Sequence, residues 1–134
     1  MKAPLPQALI DVLAKPNPAV VATVRPDGTP VSSAVWYLWD DGEVLTGMGR
    51  RSPRRRNLEQ NPRVALTVLD EATWYRQVTL HGEVVALEED EGLAVMDRIA
   101  IHYDGTPYPD RREHHVIARI RILDWDQFGF DLDG

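Results

Sequence analysis

Residues 19–38 read AVVATVRPDGTPVSSAVWYL, in which two apolar runs flank the turn signal Pro26-Asp27-Gly28-Thr29. The first run, Ala19–Val24, has the β-branched composition of a strand. The second run, Pro30–Leu38, is predicted to return beside it as the other half of a hairpin, because Asp-Gly favours a tight turn. This stretch therefore indicates antiparallel β-structure.

Strands also dominate the rest of the chain, with few helices between them. Further strands are predicted at Glu43–Met48, Arg63–Leu69, Tyr75–Leu87 and 115–123, with a bulge at Gly82. Helices are predicted at Pro4–Ala14, after Ser52, and from Glu88–Glu91 onward, where Leu93, Met96, Ala100 and Tyr103 form a core stripe. Six short strands joined by tight turns favour a small, mainly β antiparallel barrel.

The helix after Ser52 has an unusual charge. Residues 49–63 read GRRSPRRRNLEQNPR and hold six of the 15 basic residues of the chain. Ser52 is a good N-cap, Pro53 suits the first helical position, and Pro62 ends the run. Arginines in a first turn oppose the helix dipole, and such a local cost suggests a functional site.

The predicted use of this helix start is anion binding. Backbone N–H groups, a hydroxyl and guanidinium groups together form a receptor for a phosphate or another polyanion. We expect Arg51, Arg54 and Arg55 to converge there, with Leu58 facing inward. The alternative is a solvated helix face, which is the ordinary fate of a charge run.

Composition restricts the class of protein. The chain has 134 residues, which suits one domain over residues 1–134, and its net charge of -6 disfavours general nucleic-acid binding. It has no cysteine, which excludes disulfides and thiolate metal sites and fits a cytoplasmic location. The four histidines show no metal-ligand spacing, and neither a signal segment at residues 1–6 nor a membrane span is expected.

Two motifs carry a resemblance to a known family. ATVRPDGTPV at residues 22–31 is followed by Arg56-Asn57-Leu58 and then Asn61-Pro62-Arg63-Val64. In order and spacing, the chain resembles the split β-barrel oxidoreductases related to pyridoxamine 5'-phosphate oxidase, in the branch that uses the deazaflavin coenzyme F420. Leu80–Val84 and Tyr103–Tyr108 also fit that branch. The resemblance implies an FMN-binding type of split β-barrel, with six antiparallel strands in Greek-key order.

The resemblance also implies a homodimer with two cofactor sites between its subunits. The strands at 30–38 and 43–48 would face the flavin-like ring, and the arginine helix would hold the phosphate and the acidic tail. The residues expected in the site are Ser33, Val35, Trp36, Thr46, Gly47, Met48, Arg51, Ser52, Arg54, Arg55, Asn57 and, from the neighbouring subunit, Tyr75. Strand alternation splits Ser33, Val35 and Trp36 between two faces, so some contacts would be through backbone.

Two of these residues carry particular expectations. The branch often has lysine three positions before its Asn-Leu pair; here Arg54 keeps the charge but presents a planar fork. Gly47 would let a planar ring approach closely, or alternatively marks a bulge.

The function implied is an oxidoreductase that passes a hydride from reduced F420 to a small unsaturated or planar substrate. F420 is preferred to FMN because a tail with a phosphate and several carboxylates would use more arginines. The alternatives are an FMN-binding relative of pyridoxamine 5'-phosphate oxidase and a carrier of a cofactor or haem-like ligand without turnover. No residue is assigned as catalytic acid or base.

Overall fold

The computed structural model describes residues 4–132. Its helices and strands are, in chain order, α1 (Gln7–Leu13), β1 (Ala19–Val24), β2 (Pro30–Val35), β3 (Leu38–Asp40), β4 (Glu43–Gly49), α2 (Pro53–Gln60), β5 (Arg63–Leu69), β6 (Gln77–Glu89), α3 (Ala94–Asp104) and β7 (His115–Phe128). A short 3-10 helix at Glu91–Leu93 precedes α3. The prediction that residues 1–6 hold no signal segment concerns in part residues 1–3, which lie outside the described residues.

The seven strands form one antiparallel sheet in the order β2-β1-β5-β6-β7-β4-β3. The two end strands, β2 and β3, are consecutive in the chain and only Trp36 and Tyr37 separate them. Three residue steps from Val35 to Leu38 span at most about 11 Å. The sheet therefore curves until its two ends approach each other at this junction.

The prediction of one continuous strand at Pro30–Leu38, and with it the count of six strands, was wrong. The segment changes partner at its middle, because β2 pairs with β1 and β3 pairs with β4. Tyr37 fixes the break: its ring is buried and its hydroxyl donates to the carbonyl oxygens of Leu13 and Lys15 at 2.7 and 3.2 Å. This anchor ties the junction to the end of α1.

Other boundaries follow local chemistry. Strands β1 and β5 begin and end where they were predicted. A register shift between His81 and Gly82 confirms an irregularity at the predicted bulge, but the extra residue, Leu123, is in the paired strand β7. Helix α1 begins at Gln7, later than predicted, because residues that precede proline favour extended backbone. Strand β7 continues to Phe128, beyond the predicted 115–123, because it pairs with β6 as far as Gln77.

The start of the third helix was also predicted wrongly. Glu88 and Glu89 end strand β6 and do not open the helix. The capping carboxylate belongs to Asp90, whose two oxygens accept from the backbone N–H groups of Val95 and Met96 at 2.9 and 2.8 Å. This is the favourable end of the helix dipole for an anion.

Two apolar clusters form the core. Helix α1 buries Leu9 and Leu13 against the sheet, in the cluster that also holds Tyr37 and Trp125. The second cluster packs α3 against β4 and β7 and contains Leu45, Leu93, Met96, Ile99 and Ile117. The predicted core stripe is thus confirmed at Leu93, Met96 and Ala100, whereas Tyr103 is half-buried.

Candidate functional site

Arg54 lies in the first turn of α2, between strands β2 and β4. Ser52 caps the helix, as predicted, by accepting from the Arg54 backbone N–H at 3.2 Å. The Arg54 guanidinium donates from Nη1 to Ser33 Oγ at 3.1 Å and from Nη2 to the Gly47 carbonyl oxygen at 3.0 Å. Its Nε is buried and has no hydrogen-bond partner among the described residues, and burial lowers the pKa of this side chain.

Two cavities meet at Arg54. The first, here named the helix cavity, has a volume of about 240 Å³ and a lining that includes the polar side chains of Ser33, Ser52, Arg54 and Asn57. Asn57 is buried and donates to Thr23 Oγ1 at 3.3 Å, which fixes its amide at the cavity wall. Four predicted site residues are therefore brought together at the helix start.

The second, the strand cavity, has a volume of about 220 Å³ and lies on the other side of Arg54. Apart from Arg54, the residues that line it have no polar side chain: Ala34, Val35, Trp36, Gly47, Met96 and Ile99. The structure thus brings the predicted residues Val35, Trp36 and Gly47 together. The Arg54 side chain therefore lies between hydroxyl and amide side chains in one cavity and apolar side chains in the other.

Arg51 and Arg55 line a different cavity from Arg54, so the predicted convergence of the three was wrong. Successive residues of a helix point about 100° apart, so Arg55 points away from Arg54. With Arg51, which precedes the helix, Arg55 lines the arginine cavity, of about 490 Å³, together with Arg50, Arg112, Glu113 and His114. Arg55 donates to the Arg50 carbonyl oxygen at 3.2 Å.

Sequence reasoning missed Arg112 and His114, because they lie in the loop between α3 and β7, which carries no periodic pattern. The pair Arg111-Arg112 was the available signal. Arg50 lines the arginine cavity and lies 3.6 Å from a carboxylate oxygen of Glu89. Arg56 is exposed and belongs to none of the described cavities.

Three predicted residues do not present their side chains to these cavities. Thr46 is buried, and its hydroxyl donates to the Trp36 carbonyl oxygen at 3.2 Å. Met48 is buried in the larger core cluster. Tyr75 lies in the turn before β6, is 61% exposed, and stacks on Trp74 with ring centroids 4.4 Å apart.

Gly47 lies in regular register opposite Ile117, so it marks no bulge. A Cβ atom at this position would lie only 2.2 Å from Met96 Sδ. The missing side chain therefore allows α3 to pack on β4, and it also leaves the Gly47 carbonyl within reach of Arg54.

A fourth cavity, the aromatic cavity, has a volume of about 410 Å³ and shares Ala34, Val35 and Trp36 with the strand cavity. Trp36 stacks on Tyr103 with ring centroids 5.0 Å apart and planes 7° apart. Tyr103 donates from its hydroxyl to the Asn17 carbonyl oxygen at 2.7 Å, and burial raises its pKa to about 12. Sequence reasoning assigned Tyr103 to the core stripe and missed this cavity.

One antiparallel sheet with a capped, arginine-rich helix beside a cleft defines a mainly β class of protein. The chain belongs to the pyridoxamine 5'-phosphate oxidase family, whose model matches residues 5–128. No curated protein matches it. No helix within residues 4–132 has the length and apolar character that crossing a membrane requires.

Solved structures agree with this family. An F420 reductase is 30% identical and superposes with a TM-score of 0.82 over 91% of this chain and 98% of its own. A conserved hypothetical protein of Mycobacterium tuberculosis is 26% identical, with a TM-score of 0.75, over 99% of this chain and 95% of its own. An FMN-binding protein of Nostoc punctiforme, 17% identical with a TM-score of 0.66 over 93% and 83%, shares the fold.

Proposed function

We propose that this protein is an oxidoreductase that uses reduced coenzyme F420 to transfer a hydride to a small unsaturated or planar substrate. The observation that carries the proposal is the position of Arg54 between two cavities: the helix cavity has hydroxyl and amide side chains in its lining, and the other side chains of the strand cavity are apolar. A ligand with a planar ring and an anionic chain matches that change of surface. The likeness to an F420 reductase over nearly the whole chain supports it.

The residues present fit such a ligand. The buried Arg54 Nε has no partner within residues 4–132, and burial without a partner is costly for a charged group. An anion at the start of α2 would accept from this side chain and from the hydroxyl groups of Ser33 and Ser52, which also line the helix cavity. Val35, Trp36 and Gly47 would contact the ring, whereas Thr46 and Met48 would contribute through the backbone or by supporting the strand.

Charge favours F420 over FMN. A single phosphate needs only the groups around Arg54, but the arginine cavity adds Arg50, Arg51, Arg55 and Arg112. These residues would accommodate carboxylates further along an extended anionic tail, because guanidinium groups bind carboxylates well. FMN remains the second candidate, since the family includes proteins described as FMN-binding.

When bound, reduced F420 supplies the hydride. The protein's part is to hold the ring against the Val35–Trp36 backbone and to exclude water from the strand cavity. Holding the reacting groups together accounts for much of the rate in such reactions. The tyrosine nearest this wall, Tyr103, keeps its proton in a hydrogen bond to a backbone carbonyl, so we assign no protein acid.

Assembly belongs to the same proposal. We expect one split-barrel domain over the whole chain and a homodimer whose cofactor sites lie between subunits. The exposed pair Trp74 and Tyr75 supports this, because large aromatic side chains exposed together commonly mark an interface. Tyr75, which borders no described cavity of its own chain, would then reach the site of the partner.

Parallel titrations of the purified protein with F420 and FMN, followed by cofactor fluorescence and by calorimetry, test the proposal. We expect F420 to bind more tightly than FMN, and added reduced F420 to be oxidised in the presence of an acceptor. Tight FMN binding without F420 binding would establish the second candidate. Binding of F420 with no turnover across a panel of acceptors would indicate the other alternative, a cofactor carrier without catalytic activity.

A further inference from the structure

The aromatic cavity has features that the proposed cofactor does not use. Its floor is apolar, formed by Pro16, Pro18 and Ala19, and one wall is the parallel stack of Trp36 and Tyr103. It adjoins the strand cavity along Ala34, Val35 and Trp36. A flat molecule in this space would therefore lie next to any ring held in the strand cavity.

The charge of this cavity differs from that of its neighbours. Glu71 is the only charged residue that lines it, and the Glu71 carboxylate forms no ion pair within residues 4–132. The Glu71 backbone is fixed, because its N–H donates to Asn17 Oδ1 at 3.0 Å. The three other cavities each have at least one arginine in their lining.

Aromatic rings and a carboxylate together select one kind of ligand. The faces of tryptophan and tyrosine attract cations, and a carboxylate at the rim adds a weaker, salt-dependent attraction. An anionic or strongly polar molecule would gain neither contact. The aromatic cavity should therefore favour cations, whereas the arginine cavity should favour anions.

We propose that the aromatic cavity is the acceptor site, and that it takes planar organic cations with a conjugated C=N⁺ bond. The hydride transfer in this proposal rests on the proposed function, whereas the binding of the cation is argued from the aromatic cavity alone. The acceptor carbon receives a hydride from the reduced deazaflavin, and the π electrons of the C=N⁺ bond move to nitrogen. The product is a neutral amine, and the second hydrogen of the reduced cofactor leaves as a proton to water.

This chemistry matches the residues around the cavity. A neutral alkene needs a proton after the hydride arrives, whereas an iminium carbon needs none. Tyr103, the one titratable group of the wall, has its hydroxyl proton engaged by Asn17. A site without a free proton donor therefore suits an acceptor that is already cationic.

The binding test uses N-methylquinolinium and the neutral 4-methylquinoline, which have the same shape, in mildly alkaline solution with cofactor-free protein. Calorimetry should show that the cation binds about fivefold more tightly. Glu71→Gln should reduce that preference to below about twofold while the affinity for 4-methylquinoline stays unchanged. Glu88→Gln removes an equal charge from an exposed position outside the cavity and should leave the preference intact.

Turnover gives a second readout. With reduced F420 bound, Glu71→Gln should raise KM for N-methylquinolinium about threefold, in line with the lost preference, and leave kcat nearly unchanged, because Glu71 binds and does not react. Equal affinity of the cation and the neutral ligand, or equal losses in Glu71→Gln and Glu88→Gln, would overturn the proposal. Because the binding test needs no cofactor, a preserved preference without F420 binding would retain the cation site and refute the proposed function instead.

Discussion

The guanidinium of Arg54 reaches the carbonyl oxygen of Gly47 at 3.0 Å, so the start of α2 is joined to the middle of β4 by a charged hydrogen bond. This contact, with the one to Ser33, fixes the guanidinium at the boundary of two cavities. It leaves Nε buried and unpaired among the residues described. A fixed cation with spare hydrogen-bonding capacity is what an anionic ligand requires.

Charge reversal at this position gives the first prediction. Arg54→Glu should weaken F420 binding by more than about tenfold, because a charge-assisted hydrogen bond is replaced by repulsion. Fluorescence titration measures the dissociation constant, and circular dichroism checks that the fold is retained. Arg56→Glu is the matched control, since it makes the same charge change at an exposed position of the same helix. Similar losses in both variants would show a general effect of charge and remove Arg54 from the site.

The second prediction compares two glycines of β4. Gly47→Ala should lower the free energy of unfolding by about 1–3 kcal/mol, because the new Cβ would collide with Met96 Sδ inside the core. Gly49→Ala should cost less, because its Cβ meets only the end of the exposed Glu113 side chain. Urea unfolding of both variants checks the difference. The double variant Gly47→Ala/Met96→Ala should show less than the sum of its single effects; additive losses would contradict the proposed collision.

The third prediction concerns pH and the loop at 105–114. Asp97 accepts hydrogen bonds from the Arg111 guanidinium at 2.6 Å and from the Tyr108 backbone N–H at 3.0 Å. The bond to Arg111, more than the others, lowers the pKa of Asp97. A carboxylate with a lowered pKa in the folded protein stabilises it above the unfolded value of about 3.9, and this contribution is lost as the pH falls through the folded value.

Asp97→Asn should therefore lower Tm near neutral pH, and its difference from the wild type should shrink as the solution is acidified below about pH 4. Thermal unfolding of both proteins across that range measures the effect. A Tm difference that stays constant with pH would show that the carboxylate charge is not responsible.

The fourth prediction concerns assembly. Light scattering should give a mass near twice the 15.2 kDa of one chain. Replacing both Trp74 and Tyr75 by serine should shift the protein toward monomer, because these two aromatic side chains are each 61% exposed in the single chain. Ile101→Ser, at another exposed apolar position, is the control. A dimer that is unchanged by the double substitution would place the interface elsewhere.

Features that depend only on residues close together along the chain could be predicted from the sequence. The Ser52 cap and the limits of β1 and β5 follow from local composition, and the irregularity at Gly82 was read from a single glycine. The break at Trp36–Tyr37 could not be read in this way. It arises because the two halves of the segment pair with strands at opposite ends of the sheet, which is a relationship between distant parts of the chain.

The same reasoning applies to the candidate site. Sequence alone grouped Arg51, Arg54 and Arg55 by proximity along the chain, whereas the rotation of the helix separates Arg55 from Arg54 and places it in the cavity that Arg51 also lines. Glu71 and Tyr103 come from segments 32 residues apart and meet only in the folded protein. The sequence indicated that Gly47 matters, but it could not show why. The glycine is required by the packing of Met96, which belongs to a helix that begins 47 residues later.

Strand β7, the last of the seven along the chain, lies inside the sheet between β6 and β4. Until residues 115–128 are available to pair, β4 and β6 each have an edge whose backbone hydrogen-bonding groups are unpaired. Unpaired edges recruit strands from other chains. A proteolytic cut before His115 that releases β7 would thus leave β4 and β6 with unpaired edges and make the remaining fragment prone to aggregation.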